Sequence, residues 1–299
     1  MESSYQIFHR KQDIGKRISL LHREQPLSIG VVCLERGEAL ARSIEHLSER
    51  YSWPLHVLMF EEQGRINDLV KRFPTVTFIV FKVPATLGVM GNVLANECYS
   101  TFFYLTRSDL RYQVANFEAA IEILNRGDKP SVVTPILTNR NGEKIPSIQI
   151  PLVRNNLIDP ISFFPKDEME ATLYPYLGVG LYERALFQRL RGFDEEIESD
   201  YWQTLDFGVR SWLYGYPIYN TPLLVTSFYE RQFVIEDRSE ALGIKRVHTR
   251  SLGVRQIGGK NYIRRVRRYQ DNHLKEEMTR RLALYKTDFY QLIEQWQVT

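Results

Sequence analysis

Four short apolar runs, separated by segments of helical period, constrain this chain more than any other feature. Residues 29–34, 55–60, 76–81 and 101–105 are almost wholly apolar, as strands covered on both faces must be. Between the first two, Ala39, Leu40, Ser43, Ile44 and Leu47 recur on one helical face. Helices are also expected over about 65–73 and 88–98. The alternation predicts an α/β fold: a doubly wound, mostly parallel sheet with helices on both faces. Such sheets bind ligands in the crevice beyond the carboxyl ends of their strands. Those ends are polar here, at Glu35-Arg36, Glu61-Glu62 and Arg107-Ser108-Asp109.

Further along, Val114, Phe117, Ala120, Ile121 and Leu124 predict a helix over 112–126, and Asn141-Gly142 between β-like runs predicts a hairpin. Residues 155–172 read as a surface loop. A strand near 178–182 feeds a helix at 183–190, another helix covers 201–214, and 217–225 is β-like. Met278, Leu282, Tyr285, Phe289 and Ile293 predict an amphipathic helix across 275–296. The expected organisation is a polar N-terminal extension with a short helix (1–26), a core domain (27–226) and a basic, partly helical C-terminal extension (227–299).

Composition narrows the functional classes. With 299 residues, 43% hydrophobic and 25% charged, the chain has material for one sizeable core or two small ones. Cys33 and Cys98 sit among apolar residues and read as buried thiols, not as a disulfide framework or a thiolate metal site. The six histidines lack ligand spacing, and no Gly-x-Ser-x-Gly elbow occurs. No basic region followed by an apolar core opens the chain, and no apolar run nears the roughly 18 residues that span a bilayer. The expected location is the cytoplasm, or the inner face of the membrane as a peripheral protein.

Charge is unevenly distributed. Residues 223–299 carry +6 and residues 1–222 carry −3. Within 238–268, ten basic residues face Glu240 alone. Such a segment attracts phosphate groups or an anionic membrane. Gly258-Gly259-Lys260 lacks the spacing of a P-loop and reads as a turn or a small phosphate nest. Tyr262 and Tyr269 interleave the basic run, but no nucleic-acid-binding fold accompanies them, so no nucleic-acid partner is expected.

The richest motif is Arg191-Gly192-Phe193-Asp194-Glu195, followed by a helix from Tyr201 to Arg210 and then Gly215-Tyr216. It reads as a Gly turn, an acidic loop, and a helix with Asp206 and Arg210 at i, i+4 on one face. An ion pair on a solvated face is the plain alternative. The motif resembles the acceptor-side signature of family-2-type inverting glycosyltransferases, which have the GT-A fold. At the level of pattern, the resemblance covers roughly residues 27–226. It implies sugar transfer from a nucleotide-sugar donor to a glycan or lipid-linked acceptor, with Glu35, Glu61, Asn92, Arg107 and Asp109 at the donor. It also implies a divalent cation, Mn or Mg, on Asp109, and a general base drawn from Asp206, Asp200 and Asp194.

The chain departs from that pattern twice. Arg107 stands where the family's Asp-x-Asp metal motif has its first carboxylate, and it can offer pyrophosphate a bidentate donor instead. Gln203-Thr204 stand where the acceptor helix has the Glu-Asp pair that supplies the base. A glycosyltransferase-like protein that binds donor or partner without turnover is therefore the second reading. A basic-tailed scaffold on an α/β core is the third.

Overall fold

The four apolar runs form the parallel part of one large sheet in a computed structural model, which describes residues 4–11, 25–33, 39–61, 66–266, 271 and 273–297. The strands are β1 (Tyr5–Phe8), β2 (Leu27–Val32), β3 (Leu55–Phe60), β4 (Val76–Phe81), β5 (Phe102–Arg107), β6 (Leu110–Ala115), β7 (Val132–Thr138) and β8 (Ile148–Ile150). They continue with β9 (Val153–Arg154), β10 (Leu157–Ile158), β11 (Ile161–Phe163), β12 (Glu170–Ala171), β13 (Gly180–Glu183), β14 (Ile218–Phe228), β15 (Val254–Ile257) and β16 (Lys260–Ile263). The helices are α1 (Ala39–Arg50), α2 (Ile66–Arg72), α3 (Leu87–Glu97), α4 (Phe117–Leu124) and α5 (Arg184–Arg189). Four more follow: α6 (Asp200–Leu213), α7 (Ile244–Leu252), α8 (Leu274–Arg281) and α9 (Phe289–Gln297).

The main sheet runs β1-β4-β3-β2-β5-β13-β7-β14-β12, with β6 also on β14. Strands β4, β3, β2 and β5 are parallel, as expected of buried strands joined by helices. Beyond β5 the sheet is mixed: β13 is antiparallel to β5 and β7, and β14 is parallel to β7. Antiparallel insertion of β13 lets the helices that follow it return toward the carboxyl ends of the parallel strands.

Several local expectations change. Within the N-terminal extension Tyr5–Phe8 is an edge strand on β4, and residues 12–24 of it lie outside the described residues. Residues 110–115 form a strand because Leu110 and Tyr112 alternate with exposed Arg111 and Gln113, and β14 supplies the ladder. The helix starts only at Phe117, capped by Asn116 Oδ1 on the Ala119 N–H at 3.1 Å. The 155–172 loop contains the short strands β10, β11 and β12. The single C-terminal helix is interrupted, and α9 begins where Asp288 Oδ1 accepts from the Tyr290 and Gln291 N–H groups at 2.9 and 3.1 Å.

Helix α6 is buried along nearly its whole length. Gly208 makes this possible, since a Cβ there would lie 2.4 Å from the Leu173 carbonyl oxygen. Below its first turns, Phe103, Tyr182, Phe187, Phe193 and Phe207 pack with ring centroids 5.0 to 6.3 Å apart, mostly edge to face. The aromatic cluster supports the 191–195 turn and fixes where α6 begins.

Candidate active site

Two helix N-termini meet at the carboxyl end of β5, where side chains of α6 cap α3. Thr86 Oγ1 accepts from Val89 N in α3, and Ser199 Oγ accepts from Trp202 N in α6. Across the junction, Asp200 Oδ1 accepts from Leu87 N at 2.9 Å and Gln203 Oε1 accepts from Gly88 N at 3.0 Å. Gln203 Nε2 donates to Thr86 Oγ1 at 2.8 Å and to the Asp194 carbonyl at 3.2 Å. Gln203 is therefore a buried tie between helices, satisfying amide groups that a helix start leaves open.

Asn92 is also absorbed by this junction. Its Nδ2 donates to the Phe193 carbonyl and to Glu195, and its Oδ1 accepts from Phe193 N, each at 2.9 Å. Both polar atoms of the side chain hold the 191–195 turn, and Asn92 is not part of the wall of the cavity beside Asp200. Gly192 is required beside it, with φ +54 and a Cβ position 2.2 Å from Asn92 Oδ1.

The expectation that Asp206 faces an acceptor is not met by its geometry. Its side chain has 0% exposure, and Arg210 Nε donates to Oδ2 at 2.7 Å. Arg250 Nη1, from α7, lies 3.2 Å from Oδ1 and 3.3 Å from Oδ2. Arg210 also donates to the Leu190 and Gly192 carbonyls, closing the turn after α5. Asp194 is held in the same lattice by Arg246 and Arg250. Burial pushes the Asp194 carboxyl up, but the two guanidiniums and the Glu196 N–H outweigh it and hold its pKa at about 2. Both carboxylates are engaged by guanidiniums, and neither lines the cavity at the start of α6.

Asp200 is placed differently. With Arg107, Glu198 and Glu236 it lines a cavity of about 540 Å³, walled also by Leu87 and Leu177. Glu236 was not singled out from the sequence. It follows an apolar run, Phe233-Val234-Ile235, in a loop without periodicity, and that flanking is the only signal it gives. The side chain accepts from Tyr174 Oη at 2.6 Å and from Leu177 N at 3.0 Å. Burial raises its pKa to about 7 against the pull of those two donors and of Arg238 and Arg107.

Asp109 lies just past β5, and Arg107 is the last residue of that strand. Arg107 Nε and Nη2 donate to the two Asp109 oxygens at 2.9 and 3.0 Å, a bidentate fork. Arg231 Nε approaches Oδ2 at 3.0 Å from the loop after β14. That loop is pinned by the Tyr229 N–H on the Asp109 carbonyl and by the Arg140 N–H on the Arg231 carbonyl. A divalent cation needs carboxylate oxygens turned toward it, and here both oxygens of Asp109 are engaged by guanidiniums. Among the described residues, no group of three or more His, Cys, Asp or Glu is placed to hold a metal ion. The residues present do not fit the cation expected on Asp109.

Glu61 follows β3, so the parallel ladder puts it on the same edge of the sheet as Asp109, with β2 between them. It is exposed and is not part of the cavity wall. Glu35 lies outside the described residues. The C-terminal basic segment is largely built into the molecule: Arg246 and Arg250 pair with Asp194, and Arg255 with Asp288. Lys245, Lys260, Arg264 and Arg265 remain exposed. Among the described residues no helix is long and apolar enough to cross a membrane.

No family model matches the chain, and no curated relative does. Its fold is nonetheless found among solved structures. The crystal structure of GalNAc-T7 with UDP, GalNAc and Mn2+ superposes with a TM-score of 0.67 at 13% identity, covering 93% of this chain. The match spans 57% of the GalNAc-T7 chain, so this protein corresponds to a little over half of it. S. aureus TarS aligns at a TM-score of 0.43 and 15% identity, over 66% of this chain and 36% of its own, too distant to carry an argument. The fold is that of the GT-A glycosyltransferases.

Two outcomes follow from this geometry. Asp206→Asn keeps the shape but leaves Arg210 without its buried counter-charge and Arg250 with Asp194 and Glu277, so it should cost about 3–5 kcal/mol in denaturant unfolding. Unchanged stability with lost turnover would instead return Asp206 to a catalytic role. Glu236 keeps its proton in the folded state up to pH about 7, whereas the unfolded chain releases it near 4.5. Folding therefore loses up to roughly 3 kcal/mol from this group as pH rises across that window. Relative to Glu236→Gln, the wild-type protein should lose stability between pH 4.5 and 7, and parallel stability curves would contradict the assignment.

Proposed function

We propose that the chain is a glycosyltransferase that moves a sugar from a nucleotide-sugar to a hydroxyl of a glycan or lipid-linked acceptor, with inversion at the anomeric carbon. The observation that carries the reading is the polarity of the cavity on this fold. Arg107 borders it at the end of β5, and Glu198, Asp200, Glu236, Asp237 and Glu240 border it elsewhere. A leaving diphosphate is stabilised by cationic donors, and an attacking hydroxyl is activated by a carboxylate. Both are present in one cavity.

In the proposed reaction the acceptor oxygen attacks the anomeric carbon as the bond to the donor's phosphate oxygen breaks. The electron pair leaves with the nucleoside diphosphate, and the hydroxyl proton passes to a carboxylate. One displacement inverts the configuration. Of the three aspartates expected from the sequence, Asp200 is the proposed base. It lines the cavity, and the hydrogen bond from Leu87 N fixes Oδ1. Glu61 and Asp109 are proposed to act from the same sheet edge, Glu61 toward the nucleoside and Asp109 by orienting Arg107. Exposed Lys245, Lys260, Arg264 and Arg265 are proposed as the peripheral contact with an anionic membrane.

A second reading is favoured by one observation: Gln203, at the position of the family's base, is wholly buried and structural. On that reading the chain binds a nucleotide-sugar without transferring it. Asp200→Asn separates the two. Turnover should fall by about 10² to 10⁴ while nucleotide affinity stays within a few-fold. Failure of the unmodified protein to turn over any UDP-, GDP- or dTDP-sugar it binds would leave the binding role.

A further inference from the structure

We infer that the β15–β16 hairpin is a lipid-contact device, whose tip and outward face carry Ile257 and Tyr262 into the interface of an anionic membrane beside Lys260 and Arg265. The inference deepens the peripheral membrane contact proposed above and rests on that part of the reading, not on sugar transfer. Its first ground is the turn. Gly258 and Gly259 have φ of +56 and +74, the left-handed pair that a two-residue hairpin turn requires. A Cβ at either position would meet nothing within 4 Å, so the glycines serve the backbone shape and not packing. The Gly258-Gly259-Lys260 run thus resolves as a hairpin tip open to solvent.

The division of the hairpin's faces is the second ground. Strand pairing puts Gln256 opposite Asn261 on one face, and Arg255 opposite Tyr262 and Ile257 opposite Lys260 on the other. The first face is fastened to the 282–288 segment. Gln256 Nε2 donates to the Lys286 carbonyl at 3.2 Å, and Asn261 Nδ2 to the Leu282 and Tyr285 carbonyls at 2.9 and 2.8 Å. On the other face Ile257 is 65% and Tyr262 50% exposed. An aliphatic tip and a ring with a polar hydroxyl suit the boundary between acyl chains and headgroups.

Charge is the third ground. Residues 255–266 hold four basic side chains and no acidic one. Two of the four have partners within the protein. Arg255 pairs with buried Asp288 and lies over the Tyr290 ring at 4.3 Å, and Arg264 lies over the same ring at 5.9 Å. The headgroup contact is therefore assigned to Lys260 and Arg265, which are exposed. Each strengthens binding to an anionic surface by about five-fold. A phosphate polymer would meet the same charges, but Ile257 at the tip offers it nothing, whereas in a membrane that side chain leaves water. The hairpin is also remote from the cavity. Lys286 N donates to the Leu213 carbonyl at the last turn of α6, and Asp200 lines the cavity at its first. The 14 residues of α6 span about 20 Å, so substitutions in the hairpin do not bear on the cavity.

The test uses the full chain with phosphatidylcholine vesicles, with and without phosphatidylglycerol, at low salt. Ile257→Cys is labelled with an NBD fluorophore, and because Cys33 and Cys98 are buried the label reports the hairpin tip. The inference expects its emission to shift to the blue and brighten with the phosphatidylglycerol vesicles, and the same label at exposed Asn141→Cys to stay unchanged. In co-sedimentation Ile257→Ser should weaken binding several-fold. Joint replacement Lys260→Gln and Arg265→Gln should weaken it about twenty-fold, and added salt should weaken the unmodified protein's binding too. Sedimentation with the phosphatidylglycerol vesicles while the label at 257 stays silent overturns the inference and leaves the peripheral contact to another surface. No sedimentation of the unmodified protein with either vesicle overturns the inference and the peripheral contact together, and leaves sugar transfer standing. A label that responds to polyuridylate and not to vesicles gives the hairpin to nucleic acid and overturns the inference as well. Sedimentation of the unmodified protein needs no substitution, so it decides against the inference even where a variant fails to fold.

Discussion

A buried carboxylate, Asp206, holds the arrangement on which the site depends. It lies between Arg210 of its own helix and Arg250 of α7, without solvent exposure. Arg210 in turn gathers the Leu190 and Gly192 carbonyls, and Arg250 reaches Asp194. The 191–195 turn, the start of α6 and the C-terminal helix α7 are therefore tied to one anion. A lattice of this kind contributes little net stability compared with an apolar core. What it supplies is a fixed register: α6 starts where Asp200 meets α3, and the cavity opens at that junction.

Capping of α3 by side chains of α6 serves the same end. Each helix start leaves N–H groups open, and here Asp200 and Gln203 of α6 satisfy those of Leu87 and Gly88. At the junction α3 packs on β2 and β3, and α6 packs on α3 and β14. Within the cavity Glu198 and Asp200 lie at the start of α6, and Arg107 lies at the end of β5. That separation of charge is what a displacement with an anionic leaving group requires.

The parallel strands, their helices and the polar strand ends were legible in the sequence because buried strands and amphipathic helices leave strong periodic signals. Strand β6 was misread because Val114 continues the helical period that Phe117, Ala120, Ile121 and Leu124 set in α4, while the real constraint on 110–115 is the ladder to β14. Asp206 with Arg210 was visible as an i, i+4 pair, but Arg250 lies 44 residues away and gives no local sign that seals the pair. Arg231 and Glu236 belong to a loop without period, and their importance comes from contacts to Asp109, Tyr174 and Leu177 far away in sequence. Arg107 shows the reverse: the sequence marked it as a departure, and only the fork to Asp109 gives that departure a physical meaning.

The most direct test is a crystal structure of the protein with a nucleoside diphosphate, grown without divalent cations. The account expects the nucleotide at the carboxyl edge of β2, β3 and β5. Phosphate oxygens should lie about 3 Å from the Arg107 guanidinium, and Asp200 should face the space beyond the terminal phosphate. A nucleotide bound on any other face, or a diphosphate held only through a metal on a displaced Asp109, would contradict it.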